Sequence, residues 1–235
     1  MRVQIVSLML LALPVLVGCQ AVPRIPDAAD AASRPAGEER TELPEGRRYV
    51  VLDGQSEARF VVYPAGRLAR LGHPHVVGGS VVSGEIVLAD EFHDSGLKLE
   101  ISVIDFEIDH PRWREDEGFD PDMSDSAIKD TRENLLGEDQ LDAANHPLIT
   151  IESLGVSGPV WQPDIEARIT LAGTARELTV PVALNFTDHE LSAIGRFVIR
   201  QSDFDIEPFS AAGGNLQVAD EVLVRFRIVA MGIGD

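Results

Sequence analysis

Nine short runs rich in β-branched residues, separated by Gly, Asp and Ser, constrain this chain more than any other feature. From Arg48 onward they read RYVVLD, ARFVVYP, SVVSGEIVLAD, GLKLEISVIDFEID, PLITIES, IEARITLAG, ELTVPVALNF, AIGRFVIR and EVLVRFRIVA. Several alternate between apolar and polar residues, the period of a strand with one buried face. In the last run Val222, Val224, Phe226 and Ile228 share a face, while Arg225 and Arg227 take the other. In ELTVPVALNF, Leu178, Val180, Val182, Leu184 and Phe186 share a face. Pro181 sits opposite, which suits an edge or a bulge because proline donates no ladder hydrogen bond. In the fourth run Leu97, Leu99, Ile101 and Val103 are followed by Ile104, Phe106 and Ile108, so a bulge near Val103 is expected to keep the apolar side inward. Eight or nine strands with one apolar face each predict an all-β fold, an antiparallel barrel or sandwich.

Residues 111–146 break the pattern. They hold eleven acidic residues and no strand-like alternation. Ser124 or Ser126 can cap a helix whose buried stripe is Ile128, Leu135 and Leu136, and Gly137 fits its stop. The segment reads as one helix-containing excursion that covers an end or a side of the barrel.

The start of the chain reads as an address. Arg2 precedes an apolar run from Val3 to Val17, interrupted by Gln4, Ser7 and Pro14 and ending Leu16-Val17-Gly18-Cys19. The run has secretory length and falls short of the roughly 20 residues that span a bilayer. Its end resembles a bacterial lipobox, in which the cysteine is lipidated and becomes the new N-terminus. Cys19 is the single cysteine, which excludes an intrachain disulfide framework and a CxxC redox pair. Gln20 rather than Asp follows it, which by resemblance to sorting rules implies the periplasmic face of the outer membrane. Residues 20–46 are dominated by Ala, Pro and charge without apolar periodicity. The expected organisation is therefore a lipoprotein-type signal peptide (1–18), a lipidated cysteine with a flexible tether (19–46), and a β-barrel domain (47–235).

The formal net charge is −19, from 39 acidic and 20 basic side chains. Phosphate contacts need clustered Lys and Arg, so this balance excludes an electrostatically driven nucleic-acid binder. It also argues against attachment to anionic lipid by overall charge. There is no GxSxG, HExxH, Walker loop or GxGxxG, and no enzyme class is supported. Asp120, Asp122 and Ser124 begin like a calcium loop, but Asp125 stands at the glycine position and Thr131 at the closing glutamate, so that reading is rejected. One constellation remains, Gly72-His73-Pro74-His75. Two histidines at i, i+2 in an extended segment point to one side, a workable spacing for metal or haem, with His110 and His146 as further candidate ligands. The alternative is a pair of surface histidines beside a turn.

The opening YVVLDGQSEARFVVYPAG resembles the first strands of the YceI-like, polyisoprenoid-binding family. LDAANHPLITIES is similar to that family's segment before a central strand, and LAGTARELTVPVAL to its hairpin. IRQSDFDIEPFSAAGGNLQVADEVLVRFRIVA resembles its closing hairpin, with Asp205 at a common glycine position. The resemblance spans about residues 48–230. It implies a lipocalin-like antiparallel barrel of eight strands, a helix near its mouth, a homodimer, and an isoprenoid or quinone-like lipid held inside. A barrel of about eight strands has just enough interior to fill with side chains or to hold one slender ligand. For the second case the inward positions expected to line the ligand are Phe60, Val62, Leu99, Ile101, Val180, Val182, Val222, Val224 and Phe226. Three readings follow: a lipid carrier, a filled structural barrel, or a redox module on His73 and His75.

Overall fold

The computed structural model describes residues 34–35 and 42–233; the run read as a signal peptide, Cys19 and most of the stretch read as a tether lie outside the described residues. The first barrel strands are β2 (Arg47–Val51), β3 (Glu57–Ala65), β4 (His75–Gly79), β5 (Val82–Leu88), β6 (Gly96–Ser102) and β7 (Glu107–Ile108). Two helices follow, α1 (Pro111–Asp116) and α2 (Asp125–Leu136). The chain then returns through β8 (Leu148–Ser157), β9 (Asp164–Leu171), β10 (Thr174–Pro181), β11 (Ala183–Phe186), β12 (Glu190–Arg200), β13 (Ser210–Ala211) and β14 (Leu216–Ile233). Ahead of these, β1 (Arg34–Pro35), inside the stretch read as a tether, pairs with Glu177 and Arg176 of β10.

All pairings are antiparallel, and short strands join end to end into bent runs. β2 and β3 both pair with β14, while β4 continues into β5 beside them and β6 into β7. β6 pairs with β8, β8 with β9, and β9 with β10. β10 continues through Val182 into β11, which pairs with β12, and β12 returns to β14. Eight runs thus follow one another around an all-β, lipocalin-like barrel. The ring is not strictly closed at one seam. β11 reaches β12 only from Leu191 to Ile194, and continuing that register would set Pro181 opposite Arg196. Proline has no N–H to give, so the ladder stops there.

The inward faces form one core that includes Tyr49, Val82, Ile149, Leu191, Val224 and Ile228. Outward residues carry charge in register: Lys98 faces Glu152, Glu152 faces Arg168, and Arg168 faces Glu177 across β6, β8, β9 and β10. These lie 3.2, 3.9 and 3.3 Å apart. The β9–β10 hairpin turns on Ala172 and Gly173, both with positive φ, the geometry that matches the twist of paired strands.

The capped helix lies where its sequence places it. Ser124 Oγ accepts from the Ala127 N–H at 3.2 Å, Gly137 ends α2, and Ile128, Leu135 and Leu136 pack on the main core. One expectation needs correction. Instead of a bulge near Val103, β6 ends at Ser102 and residues 103–106 turn, with the Phe106 N–H bonded to the Val103 carbonyl at 3.3 Å. Phe106 and Ile108 return to the core while Ile104 is 49% exposed. The excursion also holds a second helix, α1, outside the barrel wall. It follows from Pro111 at the first helical turn, where the missing N–H costs nothing.

Candidate functional site

The barrel encloses an apolar cavity of about 140 Å³, counted as space open to the centre of a water-sized sphere. Seven of the nine inward positions read from alternation line it: Phe60, Leu99, Ile101, Val180, Val182, Val224 and Phe226. Val62 and Val222 do not; they pack in the core outside the cavity. The pair Val222–Val62 continues the register of the cavity-lining pair Val224–Phe60 one inward position further along the wall, toward the irregularity between Val218 and Val222, and lies beyond the cavity's edge. Ile149, Ile169 and Leu191 also line the space. The runs PLITIES and IEARITLAG carried the alternation that points to the first two.

The polar side chains on this lining are Ser95 and Ser153. Both hydroxyls are committed to backbone: Ser95 Oγ accepts from the Ala89 N–H at 3.1 Å, and Ser153 Oγ accepts from the Leu97 N–H at 2.8 Å. The cavity therefore offers a ligand apolar contact and almost no hydrogen bonding. Gly195 shapes its wall. A Cβ there would lie 2.4 Å from Phe226 Cζ, so the missing side chain is what lets the Phe226 ring lie across β12.

The histidine pair is divided. His73 is exposed, whereas His75 is half-buried with Nδ1 2.6 Å from Asp109 Oδ2. Asp109 Oδ1 accepts from the Val76 N–H at 3.0 Å and from Arg114 Nη1 at 2.8 Å. Arg114, only 1% exposed, also donates to the carbonyls of Pro74 at 2.7 Å and Asp120 at 2.5 Å. Burial pushes the Asp109 carboxyl up, but hydrogen bonds from His75, Val76 and Arg114 outweigh it and hold the group below its usual range. An ionised carboxylate only accepts, so His75 Nδ1 carries the proton here. Asp109 has φ 53, a left-handed conformation that Asp tolerates better than most residues.

The His110 ring lies 5.2 Å from that of Trp113 at a tilt of 40°, and His146 lies 4.0 Å from Asp142. Among the described residues, no three His, Cys, Asp or Glu side chains gather where a metal ion could sit. Sequence alone did not link His75, Asp109 and Arg114, because they come from β4, the end of β7 and α1. Trp113 seals this flank with Val61 and Val76 in a small separate core. Arg59 lies 5.2 Å above its ring, and α1 is held by Arg59–Asp116 and Arg225–Glu117 pairs, each at 2.9 Å.

A family model described as the YceI-like domain matches residues 49–230. Among solved structures, BcnA of Burkholderia cenocepacia superimposes with a TM-score of 0.57 at 19% identity, over 76% of this chain and 98% of that one. The YCEI protein of Campylobacter jejuni aligns at 12% identity and a TM-score of 0.47, over 88% and 96% of the two chains. No curated protein matches the chain. The likeness to BcnA concerns the fold. It agrees with the barrel.

Proposed function

The chain belongs to the YceI-like family, and from that premise we propose that its barrel binds or carries one slender apolar molecule, an isoprenoid or quinone-like lipid. The observation that carries the reading is the cavity, lined by side chains that offer almost nothing but apolar contact. The family binds apolar ligands, which supports it. Drawn out along about 20 Å, the length of a six-residue strand, the space open to the sphere's centre has a radius of about 1.5 Å, and adding the sphere's own radius of about 1.4 Å gives a bore of about 3 Å radius, which suits a single methyl-branched chain. Burying twenty chain carbons at about 0.8 kcal/mol each gives about 16 kcal/mol before ordering costs, so tight binding needs no charged residue.

The place of action goes with the sequence of the leader. Cys19 is the lipidated residue, and the barrel hangs from the periplasmic face of the outer membrane. Organic extraction of the natively purified protein followed by mass spectrometry tests the carrier reading. A stoichiometric apolar compound is expected; protein that yields none, and takes up none when offered prenyl alcohols, contradicts it. For the anchor, Cys19→Ala is expected to release a soluble form or leave the precursor uncleaved. Unchanged mass and unchanged membrane retention would remove the lipoprotein reading.

A further inference from the structure

We propose that Val160, Trp161 and Phe186 form the face on which the barrel docks to a lipid bilayer, with Arg196 and Arg227 set to meet the phosphates of anionic phospholipids. The inference rests on the reading that the cavity takes an apolar lipid, and it names where that lipid crosses. Val160, Trp161 and Phe186 are 45, 59 and 37% exposed. They are continuous with the cavity. The Trp161 carbonyl accepts from the Leu184 N–H at 3.1 Å, Pro163 follows two residues on, and Phe186 is paired with Leu191. Leu184, Pro163 and Leu191 all line the cavity. An exposed apolar rim around an apolar cavity marks a contact surface rather than chance exposure. Tryptophan, with an apolar body and one N–H donor, suits the headgroup level of a bilayer.

Beside the rim the wall turns positive, against the sign of the whole chain. Ala183, Ile194 and Arg227 are cross-strand neighbours on β11, β12 and β14, and Ile194 is 54% exposed. Next to them Arg196 faces Arg225, which in turn faces Arg59. Like charges set opposite each other on a sheet destabilise it. Arg59 has Glu57 and Asp116 as partners, and Arg225 has Glu117. Arg196 and Arg227 are exposed and have no ion pair or hydrogen bond among the described residues. Arg196 and Arg227 border a groove with Glu57, Arg59, Arg225 and Phe226, and Phe226 borders the cavity as well. Arg196, and Arg227 whose register neighbour Glu57 is engaged by Arg59, offer two guanidinium groups complementary to phosphate, on a chain whose net charge of −19 otherwise disfavours an anionic surface. Docking is therefore oriented, with the end of the cavity toward the lipid.

The chain has two tryptophans, and Trp113 is buried beneath Arg59, so the difference between the parent and a variant without Trp161 isolates the signal of this face. The full chain and its Trp161→Phe variant are mixed with vesicles of phosphatidylcholine and phosphatidylglycerol, some carrying brominated acyl chains. The difference between the two emission spectra is expected to shift to the blue and to be quenched by bromine. A second arm measures transfer of a pyrene-labelled alkyl chain from those vesicles. Trp161→Glu is expected to slow transfer about tenfold or more while leaving the probe's affinity in vesicle-free buffer unchanged. Arg196→Gln with Arg227→Gln is expected to abolish the acceleration given by phosphatidylglycerol. An unshifted Trp161 signal, or transfer as fast in Trp161→Glu as in the parent, overturns the docking face; acceleration that survives the double variant overturns the role of the arginines. A probe that fails to bind the parent without vesicles sinks the carrier reading instead, and the quenching arm then decides docking by itself.

Discussion

Inside the barrel, Leu191, Val224 and Ile228 are at most 5% exposed, yet all three border open space. Beside α1, Asp109 and Arg114 are each 1% exposed, and each is held by directional hydrogen bonds to named atoms. The difference follows from what each group requires. Apolar side chains need only to leave water, and the ring of strands around them keeps its shape through backbone ladders. Buried charges must be matched atom for atom, because an unmatched one is far more expensive than an unfilled apolar void. The flank is thus fixed in one arrangement, while the lumen is free to be empty or occupied.

The largest expected effect is on the flank. Arg114→Ala leaves the Asp109 carboxylate buried without its guanidinium and is expected to cost about 3–5 kcal/mol. Urea unfolding measures it, and a loss under about 1 kcal/mol would erase the contrast between the two regions. The same carboxyl sets an acid limit. Because the folded value is depressed, its contribution is complete above about pH 4, the unfolded value, and is lost as pH falls through the folded one. Urea midpoints between pH 7 and pH 3 are expected to fall less steeply in Asp109→Asn than in the parent; identical slopes would assign the acid sensitivity elsewhere. A smaller effect is expected in the barrel wall. Gly195→Ala places a Cβ 2.4 Å from Phe226 and 2.6 Å from the Pro181 carbonyl, and overpacking of this kind costs about 1–3 kcal/mol in thermal unfolding. No change in stability would mean that Phe226 moves freely in the lumen.

The same contrast explains what was legible in the sequence. Alternation in β10, β11, β12 and β14 displays the inward face residue by residue, and Ser124 and Gly137 mark both ends of α2. These are local signals, each within one element. The turn at residues 103–106 was hidden because Val103 and Phe106 are both buried, so hydrophobicity alone reads on through the break. The cavity's edge at Val62 and Val222 was hidden because the alternation runs on unbroken from Phe60 and Val224 and does not mark where the open space ends. The buried triad was least legible. His75 and Asp109 are 34 positions apart, and the HPH motif drew attention to His73, which the fold leaves at the surface.

The central claim is that the lumen is ligand space rather than core, and Val224→Trp tests it most directly. Val224 points into the cavity from the middle of β14. In a filled core the added bulk costs about 1–3 kcal/mol. Thermal unfolding of the delipidated variant is set beside organic extraction and mass spectrometry of the variant as purified. The account predicts a ligand-free protein within about 1 kcal/mol of its parent, less than overpacking costs, and loss of the extracted lipid. A strongly destabilised variant, made from a parent that yields no lipid, would contradict it.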